Sequence, residues 1–147
     1  MRTPVVFLIS CILVVAGWAK DTSVEIDLVR RQVEAFNRHS PDDVVACYAE
    51  NIKWRNIDGD TVTTEGEGRE NIRTWLTGYF NSLPTVKSEL FDINQTGPYV
   101  VFRERASWTG KDGGPRSQVA IGVFEVRDSL IQRAWYFPAV REQAAAK

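Results

Sequence analysis

Residues 85–137 read as four strand-length stretches parted by short turns, and this run constrains the fold more than any other feature of the chain. Residues 85–96 alternate, Gly97-Pro98 turns, 99–108 follows, 110–114 turns again, and 118–126 and 130–137 complete the series. Strands joined by such short turns pair antiparallel, because a parallel return needs a long crossover. The second stretch, Tyr-Val-Val-Phe-Arg-Glu-Arg-Ala-Ser-Trp, is the most informative. Side chains alternate across a strand, so Val101, Arg103, Arg105 and Ser107 share one face and Phe102, Glu104, Ala106 and Trp108 the other. Neither face is purely apolar. An unpaired buried charge is very costly, so this strand is either a solvated edge or the wall of a cavity with a polar floor.

The first half of the domain is helical. Val24, Leu28, Val29, Val33 and Phe36 fall close to the helical period and predict an amphipathic helix over 24–37. Ser40-Pro41-Asp42-Asp43 then reads as a second helix start, with Ser40 as cap, Pro41 in the first turn and Asp43 favoured by the helix dipole; the helix is expected to run to about residue 50. His39, the single histidine, sits beside this cap and reads as structural. Residues 52–57 alternate as a half-buried strand, and 58–67 reads as a loop rich in Gly, Asp and Thr. Asp58 and Asp60 resemble the start of a calcium loop, but Thr61 stands where that loop needs Gly, so no metal is expected. Residues 68–83 predict a third helix, with Ile72, Trp75, Leu76, Tyr79 and Phe80 on one broad face and Pro84 closing it. Three helices followed by a run of strands predict an α+β domain: a curved antiparallel sheet packed against three N-terminal helices.

Ahead of this domain lies an uncharged run from Val5 to Ala19, preceded by Arg2 and ending Ala16-Gly17-Trp18-Ala19, which has the form of a cleavable secretory signal. Two alternatives stay open: an uncleaved anchor, and lipidation at Cys11 of the Leu8-Ile9-Ser10-Cys11 stretch. The expected organisation is a signal at 1–19, one domain at 20–140 and a tail at 141–147, giving a secreted or periplasmic protein with no membrane attachment after cleavage. Removing Arg2 with the signal leaves 17 basic against 19 acidic residues, a balance that argues against nucleic acid as a partner. Cys47 is then the single cysteine, so no internal disulfide can form. Asn94-Gln95-Thr96 is a formal glycosylation sequon, relevant in a eukaryotic source.

Phe36-Asn37-Arg38-His39, Cys47-Tyr48-Ala49-Glu50, Trp54-Arg55-Asn56, Gly68-Arg69-Glu70-Asn71-Ile72 and Gly122-Val123-Phe124 together resemble the nuclear transport factor 2-like superfamily. Within it, the chain is most similar to the SnoaL-like polyketide cyclase, ketosteroid isomerase and limonene epoxide hydrolase group. The resemblance spans residues 24–137 and implies a cone whose interior is lined by the first helix and the concave sheet face. It says little of activity, since this fold hosts many chemistries. Carried over, the isomerase's oxyanion tyrosine falls at Gln32, its general-base aspartate at Asn56 and its protonated aspartate at Gly122, so none survives. The epoxide hydrolase's tyrosine and asparagine fall at Trp54 and Asn56 and its arginine at Arg105, while its two aspartates become Ser107 and Trp135. An amide cannot take the proton that a carboxylate takes, so neither acid–base cycle is complete.

The resemblance therefore implies a cavity bordered by Gln32, Trp54, Asn56, Arg105, Ser107, Gly122 and Trp135. Arg105 and Asn56 are the expected catalytic or anchoring pair, holding the oxygen of a small hydrophobic compound, with the remaining residues as pocket wall. Glu104, pointing away from Arg105, is read as solvated unless a bulge reverses it. No cofactor is expected. The function this implies is an exported domain that binds, or binds and transforms, a small apolar oxygen-bearing compound as an isomerase, cyclase or hydrolase would. The alternative is an interaction or dimerisation module. Val119, Ile121 and Val123 form a β-branched stripe away from the cavity and predict a homodimer.

Overall fold

The computed structural model describes residues 23–142; the expected signal and the last residues of the tail lie outside them. Its elements run α1 (Val24–Asn37), α2 (Pro41–Ala46), β1 (Tyr48–Asp58), β2 (Thr61–Glu67), α3 (Arg69–Ser82), β3 (Lys87–Thr96), β4 (Tyr99–Thr109), β5 (Pro115–Arg127), β6 (Leu130–Tyr136) and β7 (Val140–Arg141). Three helices pack on one face of a curved seven-stranded sheet of order β2-β1-β6-β5-β4-β3, with β7 paired to β5. The α+β cone is thus present, with local differences.

The second helix ends at Ala46, and Tyr48 already begins a strand. The expected extension to about residue 50 fails because Tyr48, Ala49 and Ile52 are all needed in the core, and an extended chain supplies them. Its start is as expected: the Ser40 hydroxyl accepts from the Asp43 amide and Pro41 occupies the first turn. The stretch expected as a loop after β1 is instead strand β2, which turns at Gly59 (φ 56°) and pairs back on β1 from Asp58–Thr61 to Lys53–Glu67. Its side chains are mostly exposed, so no apolar alternation betrays it. The sheet is also mixed rather than purely antiparallel, because β1 lies parallel to β6. The chain from β2 through α3 to β5 lies between them in sequence and is the long connection a parallel pair requires.

The core lies between the helices and the concave face. Leu28 and Val29 of α1, Val44 and Val45 of α2, and Ile72, Leu76 and Phe80 of α3 meet Tyr48, Ile52, Val100, Phe102, Phe124, Ile131 and Ala134 of the sheet. His39 closes this packing as expected of a structural residue. Its Nε2 lies 2.8 Å from the Val86 carbonyl oxygen and its ring stacks on Phe80 at 4.5 Å. Arg141, the first residue of the expected tail, also belongs to the sheet: it pairs with Gln118 as Val140 pairs with Val119.

Gly122, expected to border the cavity, sits on the core side of β5 directly opposite Phe102. A Cβ there would overlap the Phe102 ring, so the ring itself fills the space above the glycine and Gly122 borders neither chamber. Gly122→Ala is therefore expected to displace Phe102 and to destabilise the domain by about 1–3 kcal/mol, measured as a shift in the denaturant midpoint.

Candidate functional site

The uninterrupted pairing of β4 with β5 decides what the concave face carries. Glu104 stands opposite Ala120 and Ala106 opposite Gln118, and these four side chains border one cavity. Its inner chamber, about 210 Å³, is walled by Phe36 of α1, Trp54 of β1, Trp75 and Tyr79 of α3, and Tyr136 of β6. An outer chamber of about 470 Å³ shares Trp54, Trp75, Gln118, Ala120 and Tyr136 with it and adds Asn56, Asp58, Glu65 and the arm Phe137–Ala139 at the mouth. The aromatic wall is continuous. Trp54 stacks on Tyr136 at 5.3 Å, Trp75 stacks on Tyr79 at 5.0 Å, and Trp54 and Trp75 meet at 5.4 Å.

Glu104 is the polar centre of the inner chamber. One carboxyl oxygen accepts from the Ser88 hydroxyl, and the other accepts from the Tyr136 phenol at 2.6 Å. Ser88 is itself fixed by Asn37 of α1. The Asn37 amide donates to the Ser88 carbonyl at 2.8 Å and accepts from the Ser88 amide at 2.7 Å. Removal from bulk water pushes the Glu104 carboxyl above its usual range, and the Ser88 and Tyr136 hydrogen bonds oppose that shift without cancelling it. The phenols of Tyr48, Tyr79 and Tyr136 are also pushed up, first by burial and then by the neighbouring Glu104 charge, so they stay protonated donors. Gln32 donates to the Tyr48 phenol oxygen at 3.1 Å, while its own Oε1 is buried with no partner. A carboxyl whose protonation is tuned by burial, set in an aromatic cleft, has the form of a general acid or base.

The expected anchor, Arg105, is on the other side of the sheet. Its guanidinium pairs with Glu89 at 2.9 Å and with Glu142 at 2.8 Å, and it lies over the Phe91 ring. On the same face Arg103 pairs with Asp92 at 2.8 Å. Ser107 and Trp135 share that outer face. Ser107 pairs with Ser117 and Lys87, and Trp135 lies against Tyr99 at 6.4 Å. The positions carried over from the epoxide hydrolase thus fall on the outer face, away from the cavity, and the assignments of Arg105, Ser107 and Trp135 are corrected accordingly. Gln32 and Trp54 border the inner chamber as expected. Asn56 borders the outer one, where its amide donates to Glu65 at 2.8 Å, far from any arginine partnership.

Glu104, Ser88 and Tyr136 were missed. A usable signal for Glu104 was present: it shares its face with Phe102, whereas the opposite face carries two arginines, and one carboxyl is cheaper to bury than two guanidiniums. Nothing in the local sequence marks Ser88, which joins the site through β3–β4 pairing opposite Ala106.

Glu104 carries a stability signature. Because its folded pKa lies above the unfolded value near 4.5, the native state holds the proton more tightly. Its contribution is fully present below that pH and is lost as pH rises through the folded pKa. Relative to the wild type, Glu104→Gln is therefore expected to gain stability across that window, read from paired denaturation curves at pH 4 and at neutral pH.

The residue pattern matches the SnoaL-like domain family over residues 29–134. No curated protein matches the chain. Among solved structures, an NTF2-like protein from Burkholderia pseudomallei superposes with TM-score 0.66 at 17% identity, covering 78% of this chain and 90% of that one. A putative polyketide cyclase from Xanthomonas campestris gives 0.58 at 23%, covering 78% and 90%. An epoxide hydrolase of the LEH-like type from M. tuberculosis gives 0.62 at 20%, covering 79% and 83%. At these identities the likeness is one of fold, and with the family match spanning most of the described residues, the chain belongs to the SnoaL-like domain family and has the NTF2-like fold.

Proposed function

We propose that this domain binds a small, largely apolar compound in its two-chambered cavity and that Glu104 exchanges a proton with it at the inner end. The observation that carries the reading is a carboxyl with a raised pKa at the polar end of an aromatic chamber, held by Ser88 and Tyr136. The sequence-based expectation of an oxygen function in the ligand rested on Arg105. With Arg105 outside, Glu104 sets which polar group the ligand presents. A carboxylate that takes a proton from one ligand atom and returns it at another performs an isomerisation or ring closure with no net proton change. The Tyr136 hydroxyl, donating to the carboxylate, holds it before the first transfer and after the second. A fold shared with a putative polyketide cyclase and an LEH-like epoxide hydrolase supports a cavity of this kind.

The test is a thermal-shift screen of steroid, terpenoid and aromatic polyketide compounds, followed by turnover assays on any binder. Arg105→Ala, which reaches the cavity only through the arm at its mouth, is expected to change ligand affinity by no more than a few-fold, while Glu104→Gln lowers turnover by about 10²–10⁴-fold. Absence of any binder, or turnover that survives Glu104→Gln, would defeat the reading.

A second reading concerns the outer face, where Ile121 is 48% exposed and Val101 40%, with Tyr99 beside them at 41%. We propose that a second copy covers this stripe, and that the domain acts after export and removal of residues 1–19. Light scattering and intact mass of protein from the native host check both, the expected species being a dimer of chains beginning at Lys20.

A further inference from the structure

The charged side chains bordering the cavity are all acidic: Glu104 inside, Asp58 and Glu65 at the mouth. Among the described residues, no lysine or arginine borders either chamber. Five aromatic rings surround the inner space, and Gln32 there keeps a buried acceptor oxygen without a donor. These features share one sign. Carboxylates and π-systems attract a cation, an unpartnered carbonyl oxygen calls for a donor, and acidic side chains at the mouth draw positive charge inward.

We infer that the ligand is cationic, carrying an amine or quaternary ammonium group on a small apolar or aromatic body, seated with its nitrogen toward Glu104. The inference rests on the reading of this cavity as a ligand site and adds the ligand's charge. An anion finds nothing in the cavity to pair with and faces three carboxyl groups. A neutral body gains the aromatic contacts but leaves Glu104 without a counter-charge, since every element packed around it offers a neutral group: Gln32 from α1, Tyr48 from β1, Tyr79 from α3, Ser88 from β3 and Tyr136 from β6. A bound cation supplies the missing charge and favours the ionised carboxylate. Where Glu104 is protonated beforehand, binding therefore releases a proton to the buffer. For a quaternary ammonium, which cannot itself titrate, affinity rises with pH through the raised pKa of Glu104 and then levels.

The experiment compares three benzyl probes on the intact domain by calorimetry: benzyltrimethylammonium, its isosteric uncharged carbon analogue neopentylbenzene, and the anion phenylacetate. The cation is expected to bind at least about tenfold more tightly than the carbon analogue, with phenylacetate weakest. Titrations in two buffers of different ionisation enthalpy, below the Glu104 pKa, should show proton release with the cation alone. Glu104→Gln should remove most of the cation's advantage and leave the carbon analogue's affinity within about twofold. The proton count on the wild type decides the matter even if that variant does not fold. Equal or tighter binding of the neutral probe, or cation binding without proton release, overturns the cationic ligand and leaves the cavity reading standing. Failure of all three probes to bind overturns the inference together with the cavity reading for ligands of this size.

Discussion

The pairing of β4 with β5, unbroken from Tyr99–Glu125 to Thr109–Pro115, is the constraint on which the rest of the molecule depends. A sheet face is chosen for a whole strand at once, because a shift of one residue would exchange every side chain between the two faces. With Val100 and Phe102 committed to the core, Glu104 and Ala106 must follow onto the concave side. Arg103 and Arg105 must go outside. The cavity's acid and the surface's arginines are therefore two consequences of one register.

Keeping a carboxyl in that position costs solvation, and the fold offsets it with neutral donors rather than with a counter-ion. Ser88 and Tyr136 each donate to one oxygen, from the strands β3 and β6. The Asn37 amide, clamped to both backbone groups of Ser88, ties the end of α1 to β3 and fixes the hydroxyl's origin. Neutral donors stabilise the carboxylate less than a cation does, which is why the proton stays more tightly held than in water. The acid is positioned and left tunable by whatever enters the chamber.

Arg105 does structural work on the outside. It joins Glu89 on β3 to Glu142 beyond β7, and Ser117 adds a hydrogen bond to Glu142 at 3.0 Å. Exposed ion pairs contribute little singly, though one cation serving two carboxylates with good geometry contributes more than an isolated pair. Its position matters because the chain it fastens passes over the cavity mouth as Phe137–Ala139 on its way to β7. The outer face of the sheet thus holds the arm that shapes the opening on the inner face.

Local chemistry determined much of this protein from sequence alone: the cap of α2, the apolar faces of α1 and α3, the glycine turns of the second half, the structural place of His39, and the α+β class. Those features depend on neighbours a few residues apart, so their signals lie within short windows. Strand β2 escaped because its side chains are solvated on both faces and show no alternation, and the end of α2 escaped because demand from the core drew Tyr48 into a strand. Motif resemblance pointed to Gln32, Trp54 and Asn56, which α1 and β1 bring to the cavity wall. It misplaced Arg105, Ser107 and Trp135, because a position in sequence carries over without its face, and only the β4–β5 and β5–β6 registers decide the face. Glu104, Ser88 and Tyr136 come from three strands and Asn37 from a helix. No window of sequence holds them together, and only tertiary pairing makes them one site.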